Sequence, residues 1–310
     1  MSPVAPDQQQ DRSATDPLAA NLRPVEAGLI DTAEDVDAAA RTGIALIRDL
    51  DYAGYLHLDR LLSAQEPLTD HHDELLFIVI HQATELWLKL VVHEMRSAQE
   101  HLRTDEIGPA LKRLARVKHV LRQLIDQWAV LATLTPSEYA EFRGKLGRSS
   151  GFQSVQYREL EFLLGNKNKA MITVFDHDPA SAERLRTTIA EPSLYDDFLD
   201  LLARRGYDVP THVLQRDRTA PHTLDEGVTA VFARIYSAPE TQWDVYETCE
   251  ELVDLEDSFQ TWRFRHLKTV ERIIGFKPGT GGSSGVPFLR RALDLTFFPE
   301  LYAVRAEIGN

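Results

Sequence analysis

Apolar residues recur along most of this chain at helical spacing, and nowhere do several short alternating runs follow one another as the strands of a sandwich or barrel would. One long pattern runs from Thr69 to about Leu102 through Leu75, Leu76, Phe77, Ile78, Val79, Ile80, Leu86, Trp87, Leu88, Leu90, Val91 and Met95, without Gly or Pro. Its middle is apolar on nearly every side, which predicts a helix at the centre of a bundle. A second helix is predicted from Ile107 to Leu131, with Leu111, Leu114, Leu121, Leu124, Ile125 and Trp128 at its apolar positions. Thr135-Pro136-Ser137-Glu138 reads as a helix start: Thr135 caps, Pro136 suits the first turn, and Glu138 completes a capping box. That helix is expected to stop near Gly147. Another is predicted from Gly151 to Leu164, ended by the polar run Gly165–Lys169, and a last long one from about Glu240 to Ile274, stopped by Gly275. Upstream, Asp31 to Leu50 is expected to form an amphipathic helix, and Tyr52-Ala53-Gly54-Tyr55-Leu56 a short aromatic break after it. The stretch from Asp176 to Leu224 mixes short helices with turns. The expectation is an all-α helical bundle.

Composition changes this picture mainly by exclusion. A chain of 310 residues that is 43% hydrophobic and 26% charged can bury a sizeable core. The formal net charge of −14 has the wrong sign for a phosphate backbone or an anionic membrane, so neither nucleic acid nor membrane is expected as a partner. Cys249 is the only cysteine, which excludes an internal disulfide, and no C-x-x-C-H is present for covalent haem attachment. The first 25 residues hold Pro3, Pro6, Pro17, Pro24 and a Gln8–Gln10 run, with no apolar signal-peptide core or spanning segment. The organisation expected is a flexible tail over residues 1–30 and a single helical domain over 31–310, located in the cytoplasm.

Spacing tests narrow the chemistry of the histidines. Neither H-E-x-x-H nor E-x-x-H occurs, which removes the zinc-protease and di-iron bundle signatures. H-x-[DE] occurs as His57/Asp59, His71/Asp73 and His72/Glu74, which can supply arms of a two-histidine, one-carboxylate iron site or simply cap helices. His266 has Phe259, Trp262, Val270 and Ile273 around it on the apolar stripe of the last long helix. It reads either as a hydrogen-bonded core residue or as an axial ligand of haem, whose macrocycle already provides four ligands. His81 follows the block Phe77–Ile80 and has Glu85 at i+4 as a potential partner. Tyr139 and Arg143 share a face, as a surface pair or, if buried, as a carboxylate clamp. Gly279–Gly285 matches no nucleotide-binding pattern and reads as a flexible turn or a lid over a polar small molecule.

Taken together, Phe77-x-x-x-His81, Ser149–Ser154 (SSGFQS), Glu161–Asn168 (EFLLGNKN), Trp262-Arg263-Phe264-Arg265-His266 and the Gly279–Gly285 loop resemble the tryptophan 2,3-dioxygenase family, in order and spacing, from about Tyr52 to Arg305. The resemblance implies a haem dioxygenase that converts L-tryptophan and O2 to N-formyl-L-kynurenine. It implies haem b, ferrous in the active state, one per subunit in a helical haem pocket, with His266 as axial iron ligand and Trp128, Ser150 and Gly151 bordering the macrocycle. It implies that His81 stands close to the indole N–H, that Arg143 holds the substrate carboxylate, that Thr280 receives its ammonium, and that Phe77 and Tyr139 shape the pocket. It further implies a homotetramer in which Tyr52, Tyr55 and Leu56 enter the neighbour's active site. Two other functions stay open on the residues alone: a non-haem iron dioxygenase built on His57, Asp59 and another histidine, and a haem-binding sensor or carrier without turnover.

Overall fold

A computed structural model describes residues 52–308, which fall in two compact units divided between Ala64 and Gln65. The expected tail over 1–30 and the helix expected from Asp31 to Leu50 lie outside the described residues. In the first unit, the aromatic stretch expected as a break is itself helical. Helix α1 (Tyr52–Leu56) and helix α2 (Leu58–Leu62) are separated by His57, whose φ of 50° puts it in the left-handed region that non-glycine residues seldom adopt. The interruption therefore sits one residue beyond the aromatics, where His57 N–H donates to Gly54 O at 3.2 Å and Leu61 N–H to His57 O at 3.0 Å.

The second unit is helical, and no strand occurs among the described residues. Helix α3 (His72–Arg103) begins three residues later than the periodicity suggests because Glu74 anchors the preceding chain. Its carboxylate accepts the N–H groups of Leu68 and Thr69, both at 2.8 Å, and the Thr69 hydroxyl at 2.5 Å, while His71 caps the first turn. Helix α4 (Ile107–Leu131) has the expected bounds. Helix α5 (Pro136–Arg143) opens on the full Thr135/Glu138 capping box but ends at Arg143, well short of Gly147. The segment expected as one helix from Gly151 divides into a 3-10 turn, Gly151–Gln153, and helix α6 (Val155–Leu164). The division falls at Ser154, whose extended backbone and side-chain oxygen, accepting from Tyr157 N–H at 3.1 Å, start a new helix.

Three helices occupy the region that reads least clearly in sequence: α7 (Pro179–Ala190), α8 (Leu194–Arg204) and the single turn α9 (Thr211–Leu214). Helix α10 (Glu226–Ser237) leads into α11 (Trp243–Ile273), and the terminal segment forms α12 (Val286–Ala292) and α13 (Pro299–Ala303). The centre is the sandwich of α3 on α4 and α4 on α11, with α6 and α8 laid against α3. Leu88, Val91, Met95, Leu114, Leu121, Leu124, Leu252 and Phe259 are buried there. Each such side chain contributes roughly 1.5–3 kcal/mol by leaving water. Cross-ties such as the two-pronged Arg103–Asp197 pair, at 2.9 Å for both contacts, and Arg96–Glu159 at 2.8 Å hold α6 and α8 to α3. This frame leaves a void where α3, α4, α6 and α11 diverge, closed by α5, α12 and the glycine-rich loop.

Candidate active site

The void is a cavity of about 400 Å³, within the usual range for small-molecule sites. Phe77, His81, Trp128, Tyr139, Ser150, Gly151, His266 and Thr280 all line it. Elements far apart in sequence thus bring eight of the expected residues to one chamber.

His81 sits on α3 one turn after Phe77, and its Nδ1 lies 2.7 Å from Phe77 O. A carbonyl oxygen only accepts, so Nδ1 carries the hydrogen and the neutral ring keeps a bare lone pair on Nε2. Burial pushes the His81 pKa down, against the opposing pull of the Phe77 carbonyl and Glu85. Glu85 is not the hydrogen-bond partner its spacing suggests. It receives Gln156 Nε2 at 2.9 Å and stays a more distant charge. Phe77, Tyr139 and Phe142 form an aromatic wall beside His81, with Phe77 centroids 5.7 Å from each of the other two rings and 4.2 Å from the imidazole.

His266 faces the same cavity from α11. Its imidazole is stacked on Trp128 and makes no hydrogen bond to a described residue. What surface it shows is turned to the cavity, and desolvation, with the charge of His81 adding to it, holds its pKa down to about 4. The ring is therefore neutral across the physiological range, the state in which imidazole binds a metal.

Arg143 stands next to this chamber rather than in its wall. It lines an adjoining recess of about 260 Å³ that shares Tyr139 with the main cavity. Its Nη2 donates to Pro278 O at 2.8 Å, and its Nε is buried without a partner among the described residues. Tyr139 is 5% exposed, so the pair is not the surface decoration its spacing also allowed. Burial raises the Tyr139 hydroxyl pKa, and the neighbouring Arg143 works against that rise. Thr280 donates its hydroxyl to Ser149 O at 2.5 Å, which pins the glycine-rich loop to the segment before α6. Gly281 is required at that contact, since a Cβ there would lie 2.6 Å from Ser150 Cβ. Tyr52, Tyr55 and Leu56 belong to the first unit and are 77%, 71% and 41% exposed.

Among the described residues no three histidine, cysteine or carboxylate groups gather as a metal site. His71 and Glu74 instead serve the start of α3. A non-haem iron centre is therefore not assembled by the described H-x-[DE] residues, whereas a metal that brings its own equatorial ligands needs only one imidazole.

The family profile described as Tryptophan 2,3-dioxygenase matches residues 38–192 and 222–308. The chain belongs to the tryptophan 2,3-dioxygenase family. It is 64% identical over 265 residues to the tryptophan 2,3-dioxygenase of Saccharopolyspora erythraea, covering 85% of this chain and 94% of the relative. Against that of Kineococcus radiotolerans it is 60% identical over 283 residues, 90% of this chain and 99% of the relative. Against that of Xanthomonas campestris pv. campestris (strain B100) it is 55% identical over 295 residues, 94% and 95% of the two chains.

Tryptophan 2,3-dioxygenases are haem-dependent, and the residues present fit that group. The cavity is mostly apolar, a neutral imidazole without a hydrogen-bond partner among the described residues faces it, and the indole N–H groups of Trp128 and Trp262 are buried in its wall with no acceptor among those residues. Sequence reading assigned no role to Tyr157, Arg158, Glu161 or Arg263, which also line the cavity. Their signal was the placing of ionisable residues among apolar neighbours, three apart on α6 and one turn before His266 on α11.

Proposed function

We infer that this chain is an oxidoreductase that opens the indole ring of L-tryptophan with O2, placing both oxygen atoms in N-formyl-L-kynurenine, the first step of tryptophan degradation. One observation carries the reading: two neutral imidazoles, His81 and His266, line a single apolar cavity. The proposed cofactor is haem b, one per subunit and ferrous when active; His266 would ligate its iron, and Trp128, Ser150 and Gly151 would border it. Haem iron, when bound, supplies the O2-binding and electron-transfer chemistry that no side chain of this protein can.

The chain's own residues select and orient the substrate. Tryptophan needs an apolar slot, one polar contact for the indole N–H, a cation for its carboxylate and an acceptor for its ammonium. Phe77 and Tyr139 provide the slot. His81 Nε2, left bare by the Nδ1–Phe77 bond, accepts the indole N–H and fixes the ring's rotation. It acts as an orienting partner rather than an obligatory base, because an indole N–H is a very weak acid. Arg143 holds the carboxylate through its planar guanidinium fork. Thr280 accepts from the ammonium, its own hydrogen being directed to Ser149 O. Closing the site in this way excludes water from the reacting ring.

The proposed assembly is a homotetramer in the cytoplasm. Tyr52, Tyr55 and Leu56 wall the indole pocket of an adjacent subunit, and their exposure supports that role. The outward apolar face of α3, at Leu75, Val79, Leu86 and Trp87, supports subunit contact in the same way. By length and composition α3 also qualifies as a membrane span, with a mean hydropathy of 1.6 over its most apolar window. Buried Glu74, Glu94 and Gln99 on the same helix argue for a protein partner instead of lipid.

The test is direct. Purified full-length protein, reduced and supplied with tryptophan and air, is expected to show a Soret band and to accumulate N-formylkynurenine, followed by absorbance. His266→Ala should abolish the band. A colourless protein that nevertheless turned over tryptophan would end the reading.

A further inference from the structure

A buried excess of positive charge lies beside His266. Arg158 and Glu161 on α6 and Arg263 on α11 are 3%, 2% and 5% exposed, and all three line the cavity. Glu161 accepts from Arg158 Nη1 on one oxygen and from Arg263 Nη2, at 2.6 Å, on the other. Two guanidiniums, which stay charged at any working pH, therefore share one carboxylate. Arg263 is otherwise satisfied, donating Nε to the Tyr157 hydroxyl at 3.2 Å and Nη1 to Ala292 O at 2.9 Å. Arg158 is not, since its Nε is buried and meets no acceptor among the described residues. Glu256, the buried acid of α11, bonds neither arginine. Its oxygens take the Phe297 and Phe298 N–H groups, each at 3.1 Å.

An uncompensated buried cation is costly unless something pairs with it. Nor is Arg158 loosely placed, because its guanidinium lies 4.8 Å from the Phe152 ring centroid and 5.0 Å from that of Tyr157. The wall thus holds one unneutralised charge in a fixed orientation, a receptor for a single carboxylate.

We propose that Arg158 receives a carboxylate of the porphyrin and anchors that edge of the macrocycle on the His266 side of the cavity. The assignment rests on the haem reading above. The amino acid also carries a carboxylate, but Arg158 is joined through Glu161 to the helical turn that bears His266, whereas Arg143 lines the separate recess beside Tyr139.

The experiment compares full-length protein reconstituted with hemin or with hemin dimethyl ester, which lacks the acid groups. Wild type is expected to hold hemin about tenfold to a hundredfold more tightly than the ester, the scale of a charged hydrogen bond. Arg158→Gln should narrow that gap about tenfold and speed hemin loss to apomyoglobin by a similar factor. Arg158→Lys, which keeps the charge, should retain most of the preference, and melting curves of both variants report whether the fold survives. Equal retention of hemin and ester by wild type overturns the assignment without needing a variant, as does an unchanged rate of hemin loss in folded Arg158→Gln. A raised KM for tryptophan but not for tryptamine, with hemin loss unaltered, would give the arginine to the amino acid and likewise overturn it. A wild-type chain that takes up neither porphyrin overturns the haem reading and this assignment with it.

Discussion

The imidazole of His266 lies flat on the indole of Trp128, with ring centroids 4.7 Å apart and planes within 13° of parallel. Stacking across two packed helices removes the rotation about Cβ–Cγ that an isolated histidine would have. The direction in which its nitrogens point is therefore set by the α4–α11 interface before any ligand arrives. Because Trp128 is itself 5% exposed and held among core residues, the orientation is supported by the bundle as a whole.

The bare Nε2 of His81 predicts a partial defect when it is removed. His81→Ala should lower kcat/KM for tryptophan by about tenfold, the loss of one hydrogen bond, while activity stays measurable and the Soret band keeps its position. Complete loss of turnover with tryptophan binding intact would assign the imidazole a chemical step instead.

Arg143→Ala should cost tryptophan use roughly 1.5–3 kcal/mol in kcat/KM, the scale of a charge-assisted hydrogen bond, and leave the haem spectrum unaltered. Substrate analogues without a carboxylate should be indifferent to the change. Equal kinetics for the variant and wild type on tryptophan would remove Arg143 from the site.

Glu256 predicts a pH dependence of stability. Burial pushes its carboxyl up to about 7, opposed by the Phe297 and Phe298 amides and by Arg263. The unfolded chain releases this proton near 4.5 while the fold retains it to about 7, so between those values the folded state binds more protons and stability falls as pH rises. The full loss is about 3 kcal/mol, complete above the folded pKa. Glu256→Gln cannot titrate, so the melting-temperature difference between wild type and variant should shift against wild type from pH 4.5 to 7 and then level off. A difference constant over that window would contradict the assignment.

Deleting the chain through Leu56 should impair turnover far more than haem uptake, because the proposed role of Tyr52, Tyr55 and Leu56 is to complete a neighbouring subunit's substrate pocket. Turnover and Soret absorbance measured on the same preparation separate the two. A truncated protein with unaltered kinetics would refute the shared pocket.

Helices α3, α4 and α11 and the start of α5 are legible in sequence because their determinants are local. Apolar spacing, the Thr135/Glu138 box and the absence of Gly or Pro act within a few residues of one another. Local signals also misplaced some boundaries. Ser154 divides α6 from the turn before it, and His57 rather than the aromatic stretch interrupts the first unit, because hydrogen bonds of individual residues outweigh average periodicity there.

His266 on an apolar stripe is a sequence-level fact, but one that equally describes a filled core position. What separates the two readings is the convergence of α3 and α11 on one cavity, and no spacing rule encodes contacts between residues so distant along the chain. The same holds for the tautomer of His81, set by the carbonyl its ring meets, and for the charge on Arg158, left over once Glu161 is divided between two guanidiniums. Residue types and periodicity determine which elements form and which chemistries are possible. Protonation states and unpaired donors depend on how many partners the folded chain brings within a few ångströms, so they come into being only when the helices close on one another.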